Sequence, residues 1–121
     1  MLLDSNIIIY AAEPGYEAIR DFIAENDPVT SVVCKVEVLG YHKLSFANRR
    51  RLEELFQVLP VLPVSEEVVE WAISLRQERK MSLGDALIAG TALSYGLKIA
   101  TANIRDYEWI DGLEIINPLA A

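Results

Sequence analysis

Short apolar runs alternate with helix-patterned segments along this 121-residue chain, and that alternation restricts the fold more than any other feature. MLL, VTSVV, PVLPV, LKIAT and LEIINP are the short, β-branched or apolar stretches that read as strands, the last of them an edge strand closed by Pro118. Helical spacing fills the intervals. GYEAIRDFIAEN sets Ala18, Ile19, Phe22 and Ile23 on one face, and FANRRRLEELFQVL sets Leu52, Leu55, Phe56 and Leu59 at i, i+3, i+4 and i+7. KVEVLGYHKL turns back toward helix after VTSVV. SEEVVEWAISLRQERK opens on Ser65 as a helix cap and ends in Arg76, Arg79 and Lys80, which suits the helix dipole. Strands separated by helices pair in parallel, with the helices covering the sheet. The expectation is a single α/β domain over residues 1–121, with a mostly parallel central sheet of about four to five strands flanked by helices.

SLGDALIAGTALSYG is apolar on nearly every side after Asp85 and stops at Gly96. Such a helix is buried, either in the layer covering the sheet or in a subunit interface.

Composition narrows the chemistry. At 52% hydrophobic residues the chain has enough apolar surface for a core, and a formal charge of −7 opposes nonspecific attraction to nucleic acid or anionic membrane. One cysteine, Cys34, and one histidine, His42, leave no thiol or imidazole cluster for a metal. Carboxylates must carry any cation. The longest uncharged stretch, ALIAGTALSYGL, is shorter than the roughly 18 residues of a membrane span, and no leader pattern opens the chain, so a cytoplasmic protein is expected.

Three acids fall at strand-to-helix junctions or in the helices just beyond them: Asp4, Glu37 and Asp85. In open α/β sheets that rim is where ligands bind. Each acid also has an ordinary structural reading. Asp4 is placed to cap the helix begun by SNIIIYAAE, Glu37 to sit on an exposed helix face, and Asp85 to close the capping box Ser82-Leu83-Gly84-Asp85. Thr101 and Asn103 follow a strand end with Asp106 three residues later, and neutral oxygens of this kind position water, help ligate a hard cation, or make a turn.

Taken in order, D-S-N at 4–6, E-V at 37–38, S-L-G-D-A-L-I-A at 82–89 and T-A-N-I-R-D-Y at 101–107 resemble the PIN-domain family, and among its members the small VapC-type toxins. The resemblance runs from Leu2 to Pro118. It implies a metal-dependent endoribonuclease in which Asp4, Glu37 and Asp85 bind Mg²⁺ or Mn²⁺, and whose products carry 5′-phosphate and 3′-hydroxyl ends. Asn103 stands where some relatives carry Asp and is the fourth catalytic candidate, with Asp106, Thr101 and Asn6 as support. The resemblance also implies a homodimer and a small VapB-like antitoxin partner.

An acidic protein needs a local basic rim to hold RNA, and Lys43 with Arg49, Arg50 and Arg51 is the candidate, joined by Arg76, Arg79 and Lys80. Single-stranded or looped RNA suits a shallow cleft. Tyr10, Tyr41, Tyr107, Trp71 and Trp109 are available to stack bases or to pack in the core. The competing reading is a catalytically silent PIN-like interaction module. An aspartyl phosphatase or receiver domain is opposed by the local pattern, because D-S-N lacks a second acid two residues on and no acidic pair precedes it.

Overall fold

Leu2–Leu3 form β1, which hydrogen-bonds in parallel to β2 (Val29–Ser31) on one side and to β4 (Ile99–Ala100) on the other. β3 (Val61–Leu62) and β5 (Ile115–Ile116) complete a five-stranded, all-parallel sheet in the order β3-β2-β1-β4-β5. The computed structural model describes residues 1–120. Six α-helices connect and cover the strands: α1 (Ser5–Ala11), α2 (Glu17–Asn26), α3 (Val32–Leu39), α4 (Phe46–Val58), α5 (Glu66–Glu78) and α6 (Leu83–Tyr95). The α/β expectation is met, and β5 does lie at an edge.

The strand order reverses direction at β1. From β1 the chain moves through β2 to β3, then returns across the sheet to β4 and β5. This reversal places a topological switch point between β1 and β4, and in open α/β sheets ligands bind at the carboxyl ends of the strands at such a point. Asp4 is the first residue beyond β1 and Thr101 the first beyond β4, side by side in a register that pairs Leu3 with Ala100.

The core explains why such short strands persist. Leu2, Leu3 and Ile99 are fully buried, with Ile7 and Ile8 of α1, Ile19 of α2, Cys34 and Val38 of α3, and Leu52 of α4 around them. Burying each large aliphatic side chain contributes about 1.5–3 kcal/mol. Leu52 and Phe56 of α4 and Leu59 just beyond its end are buried and Leu55 is half-buried, matching the spacing in the sequence.

Serines set most helix starts. Ser31, Ser45, Ser65 and Ser82 each accept a backbone N–H from the first turn of the helix that follows. Ser31 also corrects one strand boundary: VTSVV is strand only through Ser31, because its hydroxyl accepts from Val33 and Cys34 and starts α3 at Val32. Glu37 is therefore in the interior of a helix that ends at Leu39, well before His42. Ala18 departs from its expected face and is exposed, while Ile19 carries the burial on α2. Helix α5 stops at Glu78, so Arg79 and Lys80 lie beyond it and Arg76 alone occupies its last turn.

Helix α6 is buried within the chain itself. Ala86, Ile88, Ala89, Gly90, Thr91 and Ala92 are buried, and a Cβ added at Gly90 would lie 2.8 Å from the Val68 carbonyl oxygen, so α5 and α6 approach at backbone distance. Its apolar character needs no second subunit. Gly96 ends it in the left-handed conformation at φ +65°. No helix among the described residues is long and apolar enough to cross a membrane.

Candidate active site

Asp4 is 5% exposed, and it both caps α1 and stands at the switch point. Its Oδ1 accepts from the Ser5 N–H at 2.8 Å, and its Oδ2 accepts from Thr101 Oγ1 at 2.8 Å, Asn6 Nδ2 at 3.2 Å and Tyr107 Oη at 3.2 Å. Burial raises its pKa above the usual carboxylate value, and the negative Asp85 adds to the rise against the lowering effect of these hydrogen bonds. Capping and site-building are thus the same placement, since the end of β1 must also start α1.

Asp85 reaches the same point from α6. Ser82 Oγ accepts from the Asp85 N–H at 3.1 Å, which is half of the expected capping box. The carboxylate does not complete that box. Its Oδ1 instead accepts from Tyr107 Oη at 3.1 Å, so one phenol oxygen is in hydrogen-bond range of both Asp4 and Asp85. A hydroxyl carries one hydrogen and satisfies one acceptor fully.

Glu37 joins through Ser5. The Ser5 hydroxyl donates to Glu37 Oε1 at 2.8 Å, while a Cβ added at Gly84 would lie 2.6 Å from Glu37 Oε2. The Glu37 carboxylate is therefore held between the residue after Asp4 and the residue before Asp85. Although Glu37 is exposed, its acid is turned toward the cluster.

Of the supporting residues, Asn6 is the most integrated. Its Nδ2 donates to Asp4 and to Thr101 Oγ1, and its Oδ1 accepts from the Ala102 N–H at 3.0 Å, which locks the end of β4 to the start of α1. Thr101 is fully buried and links Asp4 to the Asn103 N–H. Asp106 lies in the 3-10 turn Ile104–Asp106, where desolvation and then the Asp85 charge raise its pKa. Asn103 contributes through its backbone: its N–H donates to Thr101 Oγ1 and its carbonyl accepts from Asp106. The Asn103 side chain is exposed and makes no hydrogen bond with the acids among the described residues.

Sequence reasoning missed three contributors. Tyr107 was open to stacking a base, yet it is 0% exposed and presents only its hydroxyl to the acids. Burial and the charges of Asp4 and Asp85 raise its pKa far above the usual phenol value, so it stays protonated and is a donor. Ser5 and Gly84 stood inside the quoted motifs, but nothing local tied either to Glu37. Of the other aromatic candidates, Tyr10 stacks on Tyr16 with centroids 4.7 Å apart and Trp109 carries the Arg79 guanidinium 5.2 Å over its ring. Tyr41 and Trp71 are exposed.

The basic residues lie apart from the acids. Arg49 pairs with Glu53 at 2.7 Å, Arg50 with Glu54 at 3.8 Å, and Arg51 donates to the Ala12 carbonyl at the end of α1. Arg51 and Arg20 also line a cavity of about 620 Å³ with Ala11, Ala12, Ile23 and Leu55, and none of the clustered acids borders it. Lys43 lines a separate cleft with Ile9, Val38, Tyr41 and Leu44.

Among the described residues no Lys or Arg forms an ion pair with Asp4, Glu37, Asp85 or Asp106. Two partly or fully buried acids sharing one hydroxyl without a cationic side chain have the donor chemistry of a hard divalent ion. Among the described residues no three Asp, Glu, His or Cys side chains are grouped closely enough to hold an ion by themselves, so any ion here would take part of its coordination from water or substrate.

A parallel α/β domain with hydrogen-bonded acids gathered at its switch point is thus the class that fold and site define. The chain belongs to the PIN domain family, whose model matches residues 1–111. It is 30% identical to Ribonuclease VapC10 of Mycobacterium tuberculosis over 94% of this chain and 90% of that protein, and 28% identical to Ribonuclease VapC1 of Rickettsia felis over 96% and 94%. Among solved structures, a chain of DNA-bound VapBC from Salmonella typhimurium superposes with a TM-score of 0.86 at 27% identity, covering 97% of this chain and 96% of that one. A chain of a toxin–antitoxin complex from Klebsiella pneumoniae gives 0.81 at 25%, covering 99% and 98%.

Proposed function

We propose that this chain is a divalent-metal-dependent endoribonuclease and the toxin of a toxin–antitoxin pair. The single observation that carries the metal site is the Asp4–Tyr107–Asp85 junction, where two carboxylates approach one hydroxyl with no basic side chain to offset them. The names of the PIN-domain relatives support ribonuclease activity, and the complexes in which the solved relatives occur support an antitoxin partner.

Asp4 and Asp85 are the principal ligands in this reading, with Glu37 a third ligand directly or through water. A bound Mg²⁺ or Mn²⁺ supplies Lewis acidity, lowering the pKa of a water and offsetting charge on the leaving oxygen. Ser5 and Gly84 fix the Glu37 carboxylate, which would accept a hydrogen bond from an attacking water. Asn6 and Thr101 hold Asp4 in one rotamer, so little order has to be gained when the ion enters. Asp106 is available at the cluster's edge, and Asn103 acts through the turn that carries Asp106 and Tyr107. Attack by water leaves the RNA 2′-hydroxyl unused, so products bear 5′-phosphate and 3′-hydroxyl ends.

The RNA rim in this reading is Lys43 with Arg49, Arg50 and Arg51. All four are exposed, and exposed pairs such as Arg49–Glu53 contribute only about 0–1 kcal/mol, so a phosphate can replace the carboxylate. A homodimer belongs to the same proposal.

The test is cleavage of a mixed cellular RNA pool by antitoxin-free protein with Mg²⁺ or Mn²⁺, beside EDTA and Asp4→Asn controls, with product ends mapped. Metal-dependent cuts lost in Asp4→Asn are expected. A folded protein that binds no Mn²⁺ and cuts nothing would leave the silent interaction module in its place.

A further inference from the structure

Among the described residues, Tyr107 is the one buried polar side chain that touches acids from two different elements. Its ring is fixed in the core by the turn after β4, and its hydroxyl reaches Asp4 Oδ2 at 3.2 Å and Asp85 Oδ1 at 3.1 Å. We propose that Tyr107 is a positioning residue for the metal site, its hydroxyl setting the spacing of the Asp4 and Asp85 carboxylates and selecting which of their oxygens face the ion. This inference rests on the reading of Asp4 and Asp85 as ligands.

The selection follows from counting donors. Asp4 Oδ2 already accepts from Thr101 and Asn6 and lies in range of the one Tyr107 hydrogen, which it shares with Asp85 Oδ1, whereas among the described residues Asp4 Oδ1 accepts from the Ser5 N–H alone. On Asp85, Oδ1 is engaged by Tyr107, and Oδ2 has no hydrogen-bond partner among the described residues. The oxygens left with open capacity are Asp4 Oδ1 and Asp85 Oδ2. Tyr107 therefore engages one oxygen of each acid, leaving Asp4 Oδ1 and Asp85 Oδ2 as the atoms that would hold an ion.

Spacing follows from the same contact. Like-charged carboxylates repel in a partly desolvated crevice, and a phenol O–H between them offsets that repulsion without neutralising either. A phenylalanine would keep the ring's packing and remove only the bridge. Asp85 would then be free to swing toward Ser82 and solvent, and the ion would meet two unaligned ligands.

The experiment is calorimetric titration of Mn²⁺ alone into wild type, Tyr107→Phe, Asp4→Asn and the core control Ile110→Val, with thermal melts of each and RNA cleavage measured across Mn²⁺ concentration. Tyr107→Phe is expected to weaken Mn²⁺ binding by about 10- to 100-fold, to move the cleavage curve to correspondingly higher Mn²⁺, and to leave KM for RNA at saturating metal near wild type. Ile110→Val is expected to lower the melting temperature without changing Mn²⁺ affinity, which separates positioning from general loosening of the core. Wild-type affinity in Tyr107→Phe, with binding lost in Asp4→Asn, would overturn the positioning role while keeping the metal site. No Mn²⁺ binding by wild type would overturn both. An affinity loss of the same size in Ile110→Val would also overturn it, because the effect would then be structural.

Discussion

Gly84 leaves room for Glu37: the Cβ that any other residue would carry there falls 2.6 Å from Glu37 Oε2. The contact joins the start of α6 to the middle of α3, residues 47 positions apart in the chain (84 − 37), and sets the Glu37 carboxylate against the residue that precedes Asp85. Gly84 lies in the first turn of α6, where glycine is less favourable than alanine by at most about 1 kcal/mol, so its presence has a local conformational cost that the site can explain.

Gly84→Ala is accordingly expected to separate folding from activity. The clashing atom is the end of a flexible side chain, so Glu37 can swing away and the melting temperature should hold or rise slightly. Metal-dependent RNA cleavage should fall about tenfold as Glu37 leaves the cluster. A melt and a single-turnover cleavage assay on one preparation decide it, and full activity would show that the placement of Glu37 is unimportant.

Asp4 gives the fold a pH dependence of defined sign. Its pKa is raised in the native state, first by burial and then by the Asp85 charge, so the native state holds this proton more tightly than the unfolded chain. Stability without metal should therefore fall as pH rises from about 4, the ordinary carboxylate value, through the raised native pKa. In Asp4→Asn that fall should shrink, and at pH 7 without metal the variant should melt at or above the wild-type temperature. Melts from pH 4 to 8 in EDTA test this, and a wild type that gains stability over the interval through Asp4 would contradict the sign.

Mn²⁺ should reverse the same effect. At a hundredfold excess over its dissociation constant a ligand that binds only the native state stabilises by about 2.7 kcal/mol. For a domain of this size that corresponds to a rise of roughly 10 °C in melting temperature. Asp4→Asn should lose most of the shift, and equal shifts in both proteins would place the ion elsewhere.

Replacing Arg49, Arg50 and Arg51 together with Ala should weaken RNA binding and reduce the salt slope by about one for each phosphate contact removed. Stability should change little, since the Arg49–Glu53 and Arg50–Glu54 pairs are exposed. Affinity measured at several salt concentrations reads both effects, and an unchanged slope would move the RNA path off α4.

Gly90→Ala should behave in the opposite way to Gly84→Ala. Here the added Cβ meets the Val68 carbonyl oxygen at 2.8 Å, and a backbone atom cannot swing aside. Overpacking of this kind costs about 1–3 kcal/mol, so the melting temperature should drop by several degrees. A melt at or above wild type would show that α5 and α6 can separate without loss.

Much of the architecture was legible because its signals are local. Apolar runs and the i, i+3, i+4, i+7 spacing of Leu52, Leu55, Phe56 and Leu59 are properties of neighbouring residues, and so are the caps at Ser65 and Gly96. Their alternation was enough to require a parallel sheet, and the acids at strand ends were enough to locate a rim. The sequence alone also held an ambiguity at Asp4, whose capping and site readings proved to be one placement.

Tertiary structure decided the rest, because the decisive contacts join residues far apart in the chain. The order β3-β2-β1-β4-β5 put the switch point at Asp4 and Thr101, a choice that no local propensity makes. Ser5 found Glu37, Gly84 made space for it, and Tyr107 reached Asp4 across 103 positions and Asp85 across 22. A buried hydroxyl between two carboxylates has no sequence signature, since its meaning depends on where three backbone segments converge and on water being kept out of that point.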